Sequence, residues 1–110
     1  MERIPEDFDV LSTVTTSYVR KTNRIKAQVD SEYSECEVGR KVALRKVRPG
    51  KSPRNLDVLT TNAMGRVKLK NTYGAGRFFA VAKWKKFADE FGRPGTCLKA
   101  ESPKVRVPKK

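Results

Sequence analysis

The chain reads as all-β: an antiparallel sandwich of two sheets, built from about seven short strands with turn signals every eight to twelve residues. Two observations predict this. Several short runs alternate apolar and polar residues with period two, the signature of strands that bury one face and wet the other. No strand–helix–strand alternation of the kind that builds a parallel sheet interrupts them. Residues 24–47, RIKAQVDSEYSECEVGRKVALRKV, organise the rest. There Ile25, Ala27 and Val29 alternate with Arg24, Lys26 and Gln28. After a polar turn, Val42 and Leu44 alternate with Lys41, Ala43 and Arg45.

A chain of 110 residues holds one domain with a single core and is too short for two. The expected division is a flexible tail over residues 1–7, one sandwich domain over 8–107 and a flexible tail over 108–110. With 37% hydrophobic residues against 34% charged, the composition is that of a folded domain. Net charge is +13, which favours contact with anions: nucleic acid, anionic head groups, acidic polysaccharides or wall polymers. No run approaches the roughly 18 apolar residues of a membrane span. The opening MERIPEDFDV has no apolar core of a secretory signal, so none is expected within this chain.

The elements follow in order. Phe8–Val19 is rich in Thr, Val and Tyr and predicts strand. Lys21-Thr22-Asn23 makes a turn before the central pair of strands. RPGKSPRN, residues 48–55, is rich in breakers and predicts an exposed hairpin loop carrying Arg48, Lys51 and Arg54. Leu56–Thr61 is a short strand, and Asn62–Gly65 a tight turn because Asn and Gly tolerate positive φ. Val67 and Leu69 alternate with Arg66, Lys68 and Lys70, predicting the next strand. After a glycine-containing loop over 71–76, RFFAVAK (77–83) predicts a central strand, apolar on both faces. Trp84, Phe87, Ala88 and Phe91 then fall at i, i+3, i+4 and i+7, which predicts a short helix over 83–92 closed by Gly92 and Pro94, with a long loop as the alternative. Residues 96–100 and 104–107 form a last, interrupted strand.

The residues exclude most chemistry. Without histidine there is no Ser-His-Asp triad, Cys-His dyad or His-based metal site. The acids around Asp30, Glu32, Glu35 and Glu37 lack the regular oxygen spacing of a calcium loop. NTYGAG (71–76) lacks the Gly-Lys-Ser/Thr ending of a phosphate loop. Neither cofactor, metal nor catalytic residue is expected. The two cysteines are either buried free thiols or a disulfide. Cys36 follows the first strand of the central pair and Cys97 opens the last segment, and in a sandwich those ends can lie side by side, which favours a Cys36–Cys97 bond. The binding candidates are Arg40, Lys41, Arg45, Arg48, Lys51, Arg54, Arg66, Lys68 and Lys70. Those on alternating strands point away from Val42, Leu44, Val67 and Leu69, and make one cationic stripe if the strands share a sheet. Tyr73 and Trp84 are candidates to stack on a sugar or base. The alternative is an ordinary solvated polar face.

The order of landmarks also carries a resemblance: IKAQVDS from Ile25, Cys36, GRKVAL from Gly39, KVRPG from Lys46, TTNAMGRV from Thr60, GRFFAV from Gly76 and CLKAES from Cys97. Over roughly Val14 to Val107, the chain resembles secreted bacterial immunoglobulin-like modules of actinobacterial type. These are related to the carboxypeptidase regulatory-like and transthyretin-like (prealbumin-like) sandwiches. The resemblance implies a seven-stranded immunoglobulin-like sandwich with a similar cysteine placement. It also implies a non-enzymatic spacer, adhesive or accessory role, secreted or at the cell surface. The segment from Trp84 to Gly95 departs from that pattern, being longer and more aromatic. The implied partners are anionic cell-envelope polymers or polysaccharides, met by a monomer without a membrane span. The alternative is a cytoplasmic, basic nucleic-acid-binding β-domain, since WKKFADEF from Trp84 is similar to part of a plant β-rich DNA-binding domain.

Overall fold

A computed structural model describes residues 8–108; the tails expected at 1–7 and 109–110 lie outside the described residues. Eleven strands and one helical turn follow in the order β1 (Phe8–Val10), β2 (Ser12–Val19), β3 (Arg24–Ser31), α1 (Ser34–Glu37), β4 (Lys41–Arg48), β5 (Lys51–Thr60), β6 (Arg66–Lys70), β7 (Gly76–Ala82), β8 (Lys85–Ala88), β9 (Pro94–Cys97), β10 (Ala100–Glu101) and β11 (Val105–Val107). The protein is all-β as expected, though with eleven strands rather than seven among the described residues. They form three sheets: β10-β7-β4-β5 with β11 also on β7, β2-β3-β6, and β1-β9-β8.

The alternation read from the sequence decides which faces meet. Ile25, Ala27 and Val29 of β3, Val14 of β2 and Val67 of β6 turn inward. Val42 and Leu44 of β4 and Phe78, Ala80 and Ala82 of β7 meet them, so the inner faces of the two larger sheets share one core. β7 is buried along nearly its whole length between β4 and the pair β10/β11, the central strand that its two-sided apolarity predicted. On the far margin Thr16 donates to Ser102 (2.6 Å), and Ser102 Oγ accepts from the Ala80 amide (2.9 Å), stitching β2 to the segment between β10 and β11.

The turn at 62–65 forms as expected. Gly65 requires its glycine: φ is +73°, and a Cβ would meet the Val29 carbonyl at 2.7 Å. Three other expectations are corrected. The loop expected over 48–55 is a continuation of the β4–β5 hairpin, which turns only at Pro49–Gly50. Pro53 is tolerated there because β5 is the edge of its sheet. One pair of strands, β1 on β9, is parallel, joining opposite ends of the chain. The helix or long loop expected over 83–92 is instead strand β8, antiparallel to β9, followed by a tight turn.

The aromatic spacing misled because only one of its rings faces inward. Phe87 packs with Phe8 and Tyr33 (centroids 5.7 and 5.5 Å away), while Trp84 and Phe91 are 63% and 77% exposed. Gly95, opposite Phe87 in the register, leaves space for the rings: a Cβ there would lie 2.6 Å from Phe87 and 2.9 Å from Phe8. The trio covers the Cys36–Cys97 disulfide, whose Cα atoms are 5.5 Å apart and whose two cysteines are fully buried. The molecule is elongated, 64 × 31 × 17 Å.

Candidate anion-binding surface

The outward face of the β2-β3-β6 sheet collects the most regular set of cations. The residues that alternate with the buried Ile25, Ala27 and Val67 and the half-buried Leu69 must point to solvent. The register then sets Arg24 against Lys70, Lys26 against Lys68 and Gln28 against Arg66. Across β2 the same rows continue with Val19, Ser17 and Thr15. Directly opposed side chains have Cβ atoms about 4.5–5.5 Å apart, and next-but-one residues on a strand lie about 6.6–6.8 Å apart. Both spacings are shorter than the Debye length of about 8 Å at physiological salt, so these charges repel one another. An acid enters only at one end, where the Gln28 side-chain amide donates to Asp30 (3.2 Å). Between the rows Thr15, Ser17, Lys26, Gln28, Arg66 and Lys68 line a shallow hollow of about 270 Å³.

The single stripe expected from the sequence is divided. Arg66, Lys68 and Lys70 lie on β6, in a different sheet from β4 and β5, which carry Lys41, Arg45, Arg48, Lys51 and Arg54. On the hairpin, Arg48 faces Lys51 and its Nε donates to the Ser52 carbonyl (2.8 Å). Arg54 lies over the Tyr73 ring (5.9 Å) and Arg45 is half-buried opposite Phe79. Arg24 and Lys26 complete the cationic face but were absent from the expected set. The alternation in IKAQVDS placed them outward, but nothing in the linear order put β3 beside β6.

Arg40 is a correction of another kind. It is fully buried and unavailable to a ligand. Its guanidinium donates to the carbonyls of Lys83 (2.6 Å), Leu98 (2.6 Å) and Cys36 (3.0 Å) and to the Ser12 hydroxyl (2.8 Å). None of these acceptors is a carboxylate, and burial pulls the guanidinium below its ordinary value. The side chain is thus a brace between four segments beside the disulfide, its charge solvated by backbone dipoles.

The two stacking candidates also separate. Tyr73 is half-buried against the core, its ring faced by Arg54 and its amide bound to Asn71 Oδ1 (3.0 Å). Trp84 is exposed just before β8, in a hollow lined by Gly39, Lys41, Lys83 and Lys85. Among the described residues no group of three or more acids or cysteines is placed to hold a metal ion, and no helix is long and apolar enough to cross a membrane. No protein-family model matches the chain, and no curated protein matches it by sequence.

Proposed function

We propose that the protein is a non-enzymatic, immunoglobulin-like (prealbumin-like) module of the secreted or cell-surface kind, which holds an anionic envelope polymer or acidic polysaccharide on the outward face of β2-β3-β6. The observation that carries the reading is the in-register set Arg24–Lys70, Lys26–Lys68 and Gln28–Arg66. Like charges placed directly opposite destabilise a sheet, so a sequence selected for stability alone would interleave acids there. A linear polyanion relieves that repulsion along the whole row, and the repeat of about 6.6–6.8 Å along β6 suits an extended chain with a charge on each unit. The buried disulfide supports an oxidising compartment over the cytosol, and so supports an envelope polymer over intracellular nucleic acid. The elongated shape suits a spacer.

The test is a salt series of binding to polygalacturonate and to single-stranded oligo-dT, with the wild type and an Arg66→Gln/Lys68→Gln/Lys70→Gln variant. The wild type binds polygalacturonate with log K falling linearly in log salt, and the variant binds at least tenfold more weakly at low salt with a shallower slope. Equal affinity of the variant overturns the proposed face. Tighter binding of oligo-dT at equal salt overturns the choice of polymer in favour of nucleic acid.

A further inference from the structure

We propose that Trp84, flanked by Lys41 and Lys83, is a second subsite, separate from the β2-β3-β6 face, that stacks the ring of an acidic sugar. Trp84 has no part in the core, since Phe87 supplies the ring that β8 buries. Other aromatic faces are occupied: Phe78 by Lys46, Phe79 by Lys104, Tyr73 by Arg54, and Phe8 and Phe91 by Arg93. Among the described residues Trp84 has neither a cation nor a second ring against it, so its indole faces water.

The surroundings of that ring are held in place. The Lys83 amide donates to the Lys41 carbonyl (2.9 Å), which fixes the backbones of these two exposed lysines side by side. Lys85 Nζ donates to the carbonyls of Glu35 (2.9 Å) and Val38 (3.0 Å), tying α1 to the base of the hollow, and Gly39 contributes no side chain to fill it. An exposed indole in a hollow shared with Lys41 and Lys83 fits a ligand that joins a stackable ring directly to an anion. A uronic acid does so, with its carboxylate on a ring carbon. A nucleotide places a ribose between base and phosphate, which carries its charge beyond the edge of the indole. The choice of an acidic sugar rests on the polymer class proposed above; the site itself does not.

Trp84 is the chain's single tryptophan, so its fluorescence reports this subsite alone. Titration with a short oligogalacturonate shifts and saturates the Trp84 emission, whereas a neutral oligosaccharide of equal length does not. Lys41→Gln/Lys83→Gln weakens that response at least tenfold, and Arg66→Gln/Lys68→Gln/Lys70→Gln leaves it within twofold. Trp84→Ala, which removes an exposed ring, loses this subsite's share of oligogalacturonate binding by calorimetry and keeps polygalacturonate binding at the β2-β3-β6 face within twofold. No emission change while polygalacturonate still binds the sheet face overturns the subsite and spares the function proposed above. A loss of both responses in the β6 variant overturns the independence of the two sites. A larger response to oligo-dT than to oligogalacturonate overturns the acidic sugar.

Discussion

Lys26 and Lys68 stand directly opposite one another on β3 and β6, both facing solvent, with Arg24 and Lys70 repeating the arrangement one row away. Within the sheet this juxtaposition is unfavourable. It becomes favourable only when something negative lies across it.

Lys68→Glu therefore separates stability from binding. The substitution replaces a like-charge pair with a cross-strand ion pair and stabilises the fold by about 0.2–1 kcal/mol. It also weakens polyanion binding, and the gain in stability shrinks as added salt screens the wild-type repulsion. Urea denaturation at low and high salt, beside the binding series, measures both effects.

Removing the brace at Arg40 has the opposite balance. Arg40→Met leaves the carbonyls of Lys83, Leu98 and Cys36 without their donor in a buried site. Unsatisfied buried acceptors cost about 1–3 kcal/mol each, so the loss is on the order of 3 kcal/mol or more. Arg40→Lys keeps the charge but lacks the planar fork that reaches several acceptors at once, and falls between the two. Equilibrium urea unfolding ranks the three proteins.

The disulfide acts on the unfolded chain. Cys36 and Cys97 are 61 residues apart in sequence, and closing a loop of that length is worth about 4 kcal/mol in the chain-entropy description. A Cys36→Ala/Cys97→Ala variant is expected to lose about 2–5 kcal/mol. Reductant then lowers the melting temperature of the wild type and leaves that of the variant unchanged.

Asp89 makes stability depend on acid. Burial pushes its carboxyl up, but hydrogen bonds from the Arg93 amide and side chain and from the Phe91 amide, with the Arg93 charge, outweigh that and hold it below its ordinary 3.8. The unfolded chain therefore takes up this proton at higher pH than the folded one. The stabilisation is present in full above the unfolded value and is lost as pH falls through the lower, folded value. Acid titration of stability shows this loss in the wild type. In Asp89→Asn that component is missing, so the two curves converge below about pH 4.

The sequence alone determined the all-β class and the inward faces of β3, β4 and β6. Ile25, Ala27 and Val29, Val42 and Leu44, and Val67 each kept the side that their alternation assigned, because a pleated strand leaves neighbouring side chains no other choice. It also placed the turn at Asn62–Gly65, where the backbone conformation demands glycine. What only the tertiary structure decided was adjacency. That β3 lies between β2 and β6 assembles the cationic face from residues 38 to 46 positions apart. That Arg40 sits among four segments turns a surface candidate into an internal brace. The segment after Trp84 shows the reason most plainly. Its aromatic spacing satisfies a helix as well as a strand, and the deciding contacts are with Gly95, Phe8 and the Cys36–Cys97 bond, which local periodicity does not encode.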